Sequence, residues 1–271
     1  MRGWAFTLSR WVVGTLKATD PKGRRNMSDK RKRSSDAEFT KNESAPIQRD
    51  DNTANRHNIT PLSWLDIFEL PNDIQNKIEF EQLWNLQPEE KGKIRMFGKW
   101  IEIPRKQKSF LRDYEFCGAK NTGEEKLPPA LETLLRWVNT LDYGMFNQVF
   151  VNWYADGGDY IGQHRDDEAE ILKDSAIVSV SFGAARTFRV TNPCVRKWRK
   201  DFALSDGVVL VMGGEFQKQL KHGVPPTKRS LERRVNVTFR QFEEHASDQI
   251  QRFKKQRASA HTSDNINQMS K

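Results

Sequence analysis

The pair His164 and Asp166 has the residue types and the spacing that metal chemistry requires. The two residues stand two positions apart in the segment Tyr160–Glu168, so on an extended strand both side chains would leave the same face. A neutral imidazole beside a carboxylate supplies two of the three ligands of a facial triad, the arrangement that holds Fe(II) with coordination positions left open. An isolated His-x-Asp pair is also typical of an exposed, charged strand end. A metal site therefore requires a second histidine and a place for a cosubstrate elsewhere in the chain.

The C-terminal half of the chain supplies both. His222 follows the apolar segment Val208–Met212, and a further strand pattern comes after it. One face of that strand is apolar, and the other carries two guanidinium groups, an amide and a hydroxyl, from Arg234, Asn236, Thr238 and Arg240. Two guanidinium groups suit the bidentate recognition of a dicarboxylate. Taken alone, this strand would have a solvated polar face, but its position after the two histidines favours a site.

This ordered set, with Asn152 and Tyr154 upstream, resembles the AlkB family of Fe(II)- and 2-oxoglutarate-dependent dioxygenases that repair alkylated nucleobases. The resemblance extends from about Ile94 to Phe242 and is strongest to the subgroup that repairs duplex DNA. The segments that carry the subgroup resemblance are His164–Glu168, Ser179–Ala184, Phe97–Trp100 and Pro104–Gln107. Two residues depart from the family pattern: Trp153 stands where relatives usually carry a basic residue, and Gly223 where many carry Ser.

The resemblance implies a role for each residue of the ordered set. His164, Asp166 and His222 would be the catalytic metal ligands of Fe(II), leaving three positions for 2-oxoglutarate and O₂. The cosubstrate would be bound by the two arginines and by hydrogen-bonding neighbours, which are Asn152, Tyr154, Arg234, Asn236, Thr238 and Arg240. The reaction would hydroxylate an N-methyl group, which then leaves as formaldehyde.

The resemblance also implies a set of substrate residues. A methyl group on N1 of adenine or N3 of cytosine lies on the pairing edge, so the base must be flipped out or presented on a single strand. Phe116 would stack on the flipped base opposite the His164 ring, and Asp167 and Glu168 would contact its exocyclic amino group. A wedge would enter the base stack, and Arg105 would contact phosphate together with nearby cations. The wedge residues are Met96 and Phe97, with Gly98 as a flexible hinge beside them and Lys99 among the phosphate-binding cations. Phe116 and Phe97 could instead be core aromatics, and the two acids could be solvated.

The function that follows is a DNA oxidative demethylase of the 1-methyladenine and 3-methylcytosine type, with double-stranded DNA preferred and single strands accepted. An RNA demethylase of the same fold and a catalytically silent nucleic-acid-binding jelly roll are the alternatives. The net charge of +9 on 271 residues favours a polyanionic partner. Cys117 and Cys194 cannot form a disulfide framework. We expect a monomer without a membrane span.

We expect an α+β fold with three parts. Residues 1–60 would be a disordered basic extension, 61–245 the dioxygenase domain, and 246–271 a basic disordered tail. Within the domain, a recognition region at about 94–125 precedes a double-stranded β-helix, or jelly roll, at about 147–242. Strands are predicted from period-two patterns at Val149–Tyr154, Ala176–Phe182, Arg186–Val190, Val208–Met212 and Val235–Arg240. Two helices would back the sheet, one capped by Asn72 or Asp73 with Ile74, Ile78 and Leu83 inward, the other after Pro128–Pro129.

The N-terminal extension contains two candidate targeting signals. The segment Met1–Asn26 is Arg-bearing and acid-poor, which is typical of a mitochondrial presequence. Met27 offers a second start, followed by the basic run Lys30–Arg33, which is typical of a nuclear import signal. We therefore predict a nuclear protein, with a mitochondrial form from the Met1 start.

Overall fold

A computed structural model describes residues 54–96, 98–229 and 231–243 of the chain. The candidate targeting signals and the basic tail lie outside these residues. The strands, in chain order, are β1 Asn55–Thr60, β2 Ser63–Glu69, β3 Lys93–Met96, β4 Lys99–Glu102, β5 Lys106–Phe110, β6 Tyr114–Phe116, β7 Ala119–Asn121, β8 Gln148–Tyr154, β9 Ile161–His164, β10 Ile177–Gly183, β11 Arg186–Thr191, β12 Arg199–Leu204, β13 Val208–Gly214, β14 Lys221–Val224 and β15 Arg234–Arg240. The helices are α1 Asn72–Gln75, α2 Phe80–Trp84, α3 Pro129–Val138 and α4 Phe216–Gln219.

Two antiparallel sheets form the body of the fold. The larger has seven strands in the order β1-β2-β13-β10-β15-β8-β5, and the smaller has four in the order β12-β11-β14-β9. Apolar side chains from both sheets, such as Leu210 of the larger and Val190 of the smaller, share one buried cluster between them. The predicted fold class, an α+β double-stranded β-helix backed by helices, is confirmed, and all five predicted strands are present within one residue or two of the expected bounds.

Alternation explains why the central strands are buried on both faces. In β15, Val235, Val237 and Phe239 point away from the smaller sheet and pack in a second cluster with Leu131 and Leu134 of α3. The polar residues of the same strand point the opposite way, between the two sheets. The helices therefore cover the outer face of the large sheet, while its inner face is left to carry polar side chains.

The helix predicted after Asn72 is in fact two short helices. The N-cap of α1 is Pro71, with no side-chain capping bond from Asn72 or Asp73, and the residue before α2, Glu79, is extended. Ile78 and Leu83 are both buried, yet residues five apart on one continuous helix point about 140° apart. Breaking the helix between them allows both side chains to face the core. The helix α3 begins where Pro128–Pro129 predicted it.

Ordered structure begins earlier than the predicted boundary at Pro61. Strand β1 pairs with β2, and Arg56 of β1 makes two hydrogen bonds of 2.8 and 2.7 Å to the buried carboxylate of Asp66. The Arg56 guanidinium also stacks on the Trp64 ring at 4.1 Å. The polar composition of β1 gave no strand pattern in the sequence, because the side-chain contacts of Arg56 that attach the strand are an ion pair and a cation–π contact.

The predicted recognition region contains two hairpins, β3–β4 and β6–β7. Ile94, Ile103, Tyr114 and Phe116 form a third buried cluster with Phe150 of the large sheet. The turn of the first hairpin includes Gly98, whose φ of +78° is the left-handed region that favours glycine. The Phe97 of the predicted wedge lies outside the described residues. Among the residues that the structure describes, no helix is long and apolar enough to cross a membrane.

Candidate active site

His164 and His222 lie side by side on neighbouring strands. The register of β9 and β14 places the two residues directly opposite each other, and their ring centroids are 4.2 Å apart. Asp166 is beyond the end of β9, so the expectation that it shares a strand with His164 is wrong. Its carboxylate nevertheless returns to the histidines, with Oδ1 3.5 Å from His164 Nε2. One ligand atom from each of the three residues lies within 4.8 Å of the other two.

The protonation states of this group suit a divalent cation. Burial alone would raise the pKa of Asp166, which is 3% exposed, but the Arg240 guanidinium and His164 outweigh burial and hold the pKa well below its usual range. Arg240 donates from Nε at 3.2 Å and from Nη2 at 3.0 Å to Asp166 Oδ2. Burial, reinforced by His164, lowers the pKa of His222 to about 3. The site therefore presents an anionic carboxylate and a neutral imidazole, the forms in which these side chains bind metals.

The polar face of β15 lines the same cavity. Arg234 is opposite Tyr154 of β8 and Asn236 is opposite Asn152, so the four side chains project together between the sheets. Arg234 is 1% exposed, and its Nη2 donates to Ser181 Oγ at 2.9 Å. Its Nε and Nη1 are buried without a hydrogen-bond partner among the described residues. A buried cation with two unused donors is costly unless an anion joins it.

Arg105 is also inside this cavity, which corrects the expectation that it contacts phosphate at the surface. It is 3% exposed, and its Nε donates to Asn152 Oδ1 at 2.6 Å. Strand β5 begins just after it and pairs with β8, so alternation turns Arg105 inward together with the buried residues Gln107 and Ser109. Asn152 is therefore held by a cation rather than free to turn.

The predicted substrate residues divide into two groups. Phe116 and Glu168 line the cavity, whereas Asp167 is exposed and lies in a neighbouring hollow with Arg165. Lys99 is exposed at the start of β4, close in the chain to Gly98 and Met96. The structure thus brings Phe116 and Glu168, like Arg105, to the cavity of the metal ligands, whereas Asp167 and Lys99 are exposed.

Sequence reasoning missed Tyr114, which lies two residues before Phe116 on β6 and lines the cavity with it. Its hydroxyl donates to Glu168 Oε2 at 2.9 Å. Burial, with the nearby charge of Asp166, raises the pKa of Glu168 to about 8. The Tyr-x-Phe spacing was the available signal, because strand alternation sends both rings to one side.

The two departures from the family pattern are structural. Trp153 points to the outer face of the large sheet, where its Nε1 donates to Leu83 O at 2.8 Å. At Gly223, a Cβ would lie 2.7 Å from Ile161 O and 2.8 Å from Gly162 O, so the close pairing of β14 with β9 leaves no space for a serine side chain. Neither residue changes the set of side chains around the candidate metal site.

A family model described as the 2OG-Fe(II) oxygenase superfamily matches residues 102–240 of the chain. The chain belongs to this superfamily.

Proteins similar to the chain include AlkB homologues, which confirms the AlkB resemblance. The human DNA oxidative demethylase ALKBH2 is 36% identical over 56% of this chain and 61% of its own length. The mouse DNA oxidative demethylase ALKBH2 is 38% identical over 56% of this chain and 67% of its own length. The rat alpha-ketoglutarate-dependent dioxygenase alkB homolog 3 is 35% identical over 41% of each chain. The chain therefore spans less than two thirds of the human ALKBH2 relative.

Membership of the 2OG-Fe(II) oxygenase superfamily confirms the predicted requirement for Fe(II), 2-oxoglutarate and O₂, and the residues of the cavity fit these groups. Two histidines and one carboxylate are the donor set that non-haem Fe(II) oxygenases use. The buried Nη1 of Arg234, which has no hydrogen-bond partner among the described residues, is a donor that fits a carboxylate of 2-oxoglutarate. A dianion bound here would offset the positive charge of Arg105, Arg234 and Arg240, all of which are buried.

Proposed function

We propose that this chain is a DNA oxidative demethylase that removes small alkyl groups from the pairing edge of adenine and cytosine. The observation that carries the proposal is the convergence of three features on one cavity. These are the two-histidine, one-carboxylate set, the buried guanidinium of Arg234, whose Nη1 has no hydrogen-bond partner among the described residues, and an aromatic wall formed by Tyr114 and Phe116. The names of the human and mouse relatives support DNA as the substrate.

In this proposal the metal is held by His164, Asp166 and His222. Arg240 keeps the Asp166 carboxylate ionised and fixes one of its oxygens, leaving the other for the metal. Burial keeps His222 neutral, so that a ring nitrogen is available as a ligand. When bound, Fe(II) and 2-oxoglutarate would activate O₂, the oxidant whose oxygen is inserted into a C–H bond of the N-alkyl group.

The cosubstrate is proposed to lie along the polar face of β15. Arg234 would bind the far carboxylate through Nη1. Arg240, which is already committed to Asp166, would contribute to cosubstrate binding through its remaining donor capacity. Asn152 and Tyr154 lie opposite this face on β8, and Asn236 and Thr238 lie on it. The Arg105 contact to Asn152 would orient the amide so that its NH₂ group faces the cosubstrate.

The target base is proposed to stack between Phe116 and the His164 ring, both of which line the cavity. Glu168, held by the Tyr114 hydroxyl, would lie near the exocyclic amino group of that base. The exposed Asp167 would act only at the cavity entrance. A base reaches this buried position only after it leaves the helical stack.

Duplex DNA is the proposed preferred substrate because of the β3–β4 hairpin. Its turn contains Met96, Gly98 and Lys99, and Trp100 beside it is 64% exposed. Apolar side chains on such a projecting element suit insertion between base pairs, and the adjacent lysine suits a phosphate contact. We further propose a monomer in the nucleus, with a second, organelle-directed form if translation begins at Met1 rather than Met27.

The deciding experiment measures succinate release from 2-oxoglutarate with and without Fe(II), using oligonucleotides that contain 1-methyladenine. Duplex DNA, single-stranded DNA and RNA of one sequence serve as parallel substrates, with the unmethylated duplex as control. We expect Fe(II)-dependent succinate and an unmethylated product, fastest on the duplex. RNA turning over fastest would replace the proposal with an RNA demethylase. Binding without any succinate would instead indicate a silent nucleic-acid-binding module.

A further inference from the structure

The short helix α4 contacts the loop that carries Asp166. This helix lies between β13 and β14, so it precedes His222 directly in the chain. The side chain of Gln217 accepts a hydrogen bond from the Asp166 backbone N–H at 3.1 Å. Its Nε2 donates to the Met212 Sδ at 3.4 Å. One side chain thus joins the backbone of a candidate metal ligand to a residue that lines the cavity.

A second bond joins the same two segments. Arg165 Nε donates to the carbonyl oxygen of Leu220, the residue that ends α4, at 3.1 Å. The loop that leaves β9 is therefore attached to the segment that leads into β14 at two consecutive residues, Arg165 and Asp166. These are the segments that carry all three candidate ligands.

The three candidate ligands differ in how they are held. His164 and His222 occupy paired strands, whose ladder fixes their backbones. Asp166 has no strand partner, and its side chain is fixed at one end by Arg240. The hydrogen bond from the Asp166 N–H to Gln217 fixes its backbone at the other end. A carboxylate in a loop needs such support, because groups that hydrogen-bond to metal ligands orient them and raise metal affinity.

We propose that Gln217 is a positioning residue for the metal site, which holds Asp166 in the ligand geometry through the backbone of the loop. Gln217 touches neither cosubstrate nor substrate in this scheme. The proposal rests on the metal role given above to His164, Asp166 and His222. It does not depend on DNA as the substrate.

A neighbouring glutamine on the same helix provides a matched control. Gln219 Oε1 accepts hydrogen bonds from Thr60 Oγ at 2.6 Å and Ser63 Oγ at 2.9 Å. Its Nε2 donates to Glu215. Gln219 therefore anchors α4 to the β1–β2 turn, and its side-chain partners among the described residues lie outside the Asp166 loop. Equivalent substitutions at Gln217 and Gln219 separate the ligand contact from the general stability of the helix.

The test is a titration of the full-length protein with Mn(II), in which electron paramagnetic resonance measures the free ion. Thermal melting of the metal-free protein is recorded in parallel. The variants are Gln217→Leu and Gln217→Glu, with Gln219→Leu and Gln219→Glu as controls. Leucine removes the acceptor, whereas glutamate keeps an acceptor oxygen for the Asp166 N–H. The glutamate control at Gln219 measures how much a new negative charge on α4 raises metal affinity by itself.

We expect Gln217→Leu to weaken Mn(II) binding about 10- to 100-fold. Gln217→Glu, after correction for the charge control, and Gln219→Leu should stay within about threefold of the unmodified protein. An unchanged affinity in Gln217→Leu would overturn the inference. An equal loss in Gln217→Glu would also overturn it, and this outcome tests the inference even if Gln217→Leu does not fold. An equal loss in Gln219→Leu would overturn it as well. Failure of the unmodified protein to bind Mn(II) would instead overturn the proposed metal site.

Discussion

The inner face of the large sheet and the β3–β4 hairpin are built in opposite ways. Strand β15 is paired along its whole length with β8 on one side and as far as Phe239 with β10 on the other, and all seven of its residues are buried. In the hairpin, β3 and β4 pair with each other, and all four residues of β4 are exposed. Side chains on β15 are held between two neighbouring strands, whereas those on β4 face solvent.

This difference suggests a division of labour. The metal and the cosubstrate need fixed geometry, because their ligands must converge within fractions of an ångström. A nucleic acid differs in sequence and local shape at each site, so the surface that meets it gains from adaptability. Changes in the sheet should therefore affect every substrate equally, and changes in the hairpin should distinguish one substrate from another.

The largest effect should come from Asp166→Ala. This variant removes one of three protein ligands and leaves the buried Arg240 cation without its carboxylate. We expect loss of metal binding and of all turnover, on duplex, single-stranded DNA and RNA alike. Metal titration and succinate release measure the two losses. Near-normal demethylation by this variant would remove Asp166 from the metal site.

The next largest effect should come from Arg234→Ala. A charge-assisted hydrogen-bonded pair contributes roughly 1.5–3 kcal/mol, which predicts about a 10- to 100-fold higher 2-oxoglutarate requirement. Nucleic-acid affinity should stay the same, because Arg234 is buried far from any surface. Arg234→Lys serves as the control, since lysine keeps the charge but loses the two-pronged geometry. A fall in DNA affinity with an unchanged cosubstrate titration would contradict the assignment.

Arg105→Gln tests whether this arginine belongs to the cavity or to the surface. Loss of its bond leaves the Asn152 amide oxygen without its partner, a cost of about 1–3 kcal/mol, so activity should fall about tenfold or more on every substrate. A phosphate ligand would behave differently, because its loss would reduce the dependence of DNA binding on salt. Measuring DNA affinity across several salt concentrations separates the two roles. A change in the slope of DNA affinity against salt concentration would indicate that Arg105 contacts phosphate.

Phe97→Ala tests the hairpin itself. We expect activity on methylated duplex DNA to fall by about an order of magnitude, because apolar wedges offset an unstacking cost of a few kcal/mol. Activity on single strands should change little. A buried Phe97 would give the reverse pattern, with stability lowered by about 3–5 kcal/mol and equal losses on both substrates. Melting curves recorded beside both assays decide between these outcomes.

The sequence predicted the side-chain directions within strand β15 better than the positions of residues that lie just outside a strand. The alternation in Arg234–Arg240 was enough to place four polar side chains on one face, because the period of a strand fixes direction without knowledge of its neighbours. Two facts required the tertiary structure. Arg105 is buried only because β5 pairs with β8 far along the chain, and Asp166 leaves its strand at a point that no local pattern marks.

The same limit applies to polar contacts. The bond between Asp166 and Gln217 joins residues 51 positions apart, and the pair Arg56 and Asp66 joins the two strands of one hairpin. Nothing in the residue types around a lone glutamine indicates which backbone N–H it will meet. Apolar periodicity records burial, but it carries no information about which polar groups become partners.

The smallest effect, and the sharpest test of independence, should come from Lys91→Met. Lys91 lies in the segment leading into β3, and its Nζ is 2.7 Å from Asp159 Oδ1 in the loop before β9. The pair therefore joins the segment before the hairpin to the segment before the metal site.

The lysine side chain is 30% exposed, so we expect a loss of about 1 kcal/mol or less in the free energy of unfolding. If the two regions act separately, metal affinity should stay constant while the ratio of duplex to single-strand activity shifts by about twofold. Measuring that ratio and the Mn(II) affinity on one preparation checks this, and a parallel loss in both would show that the hairpin and the metal site move as one body.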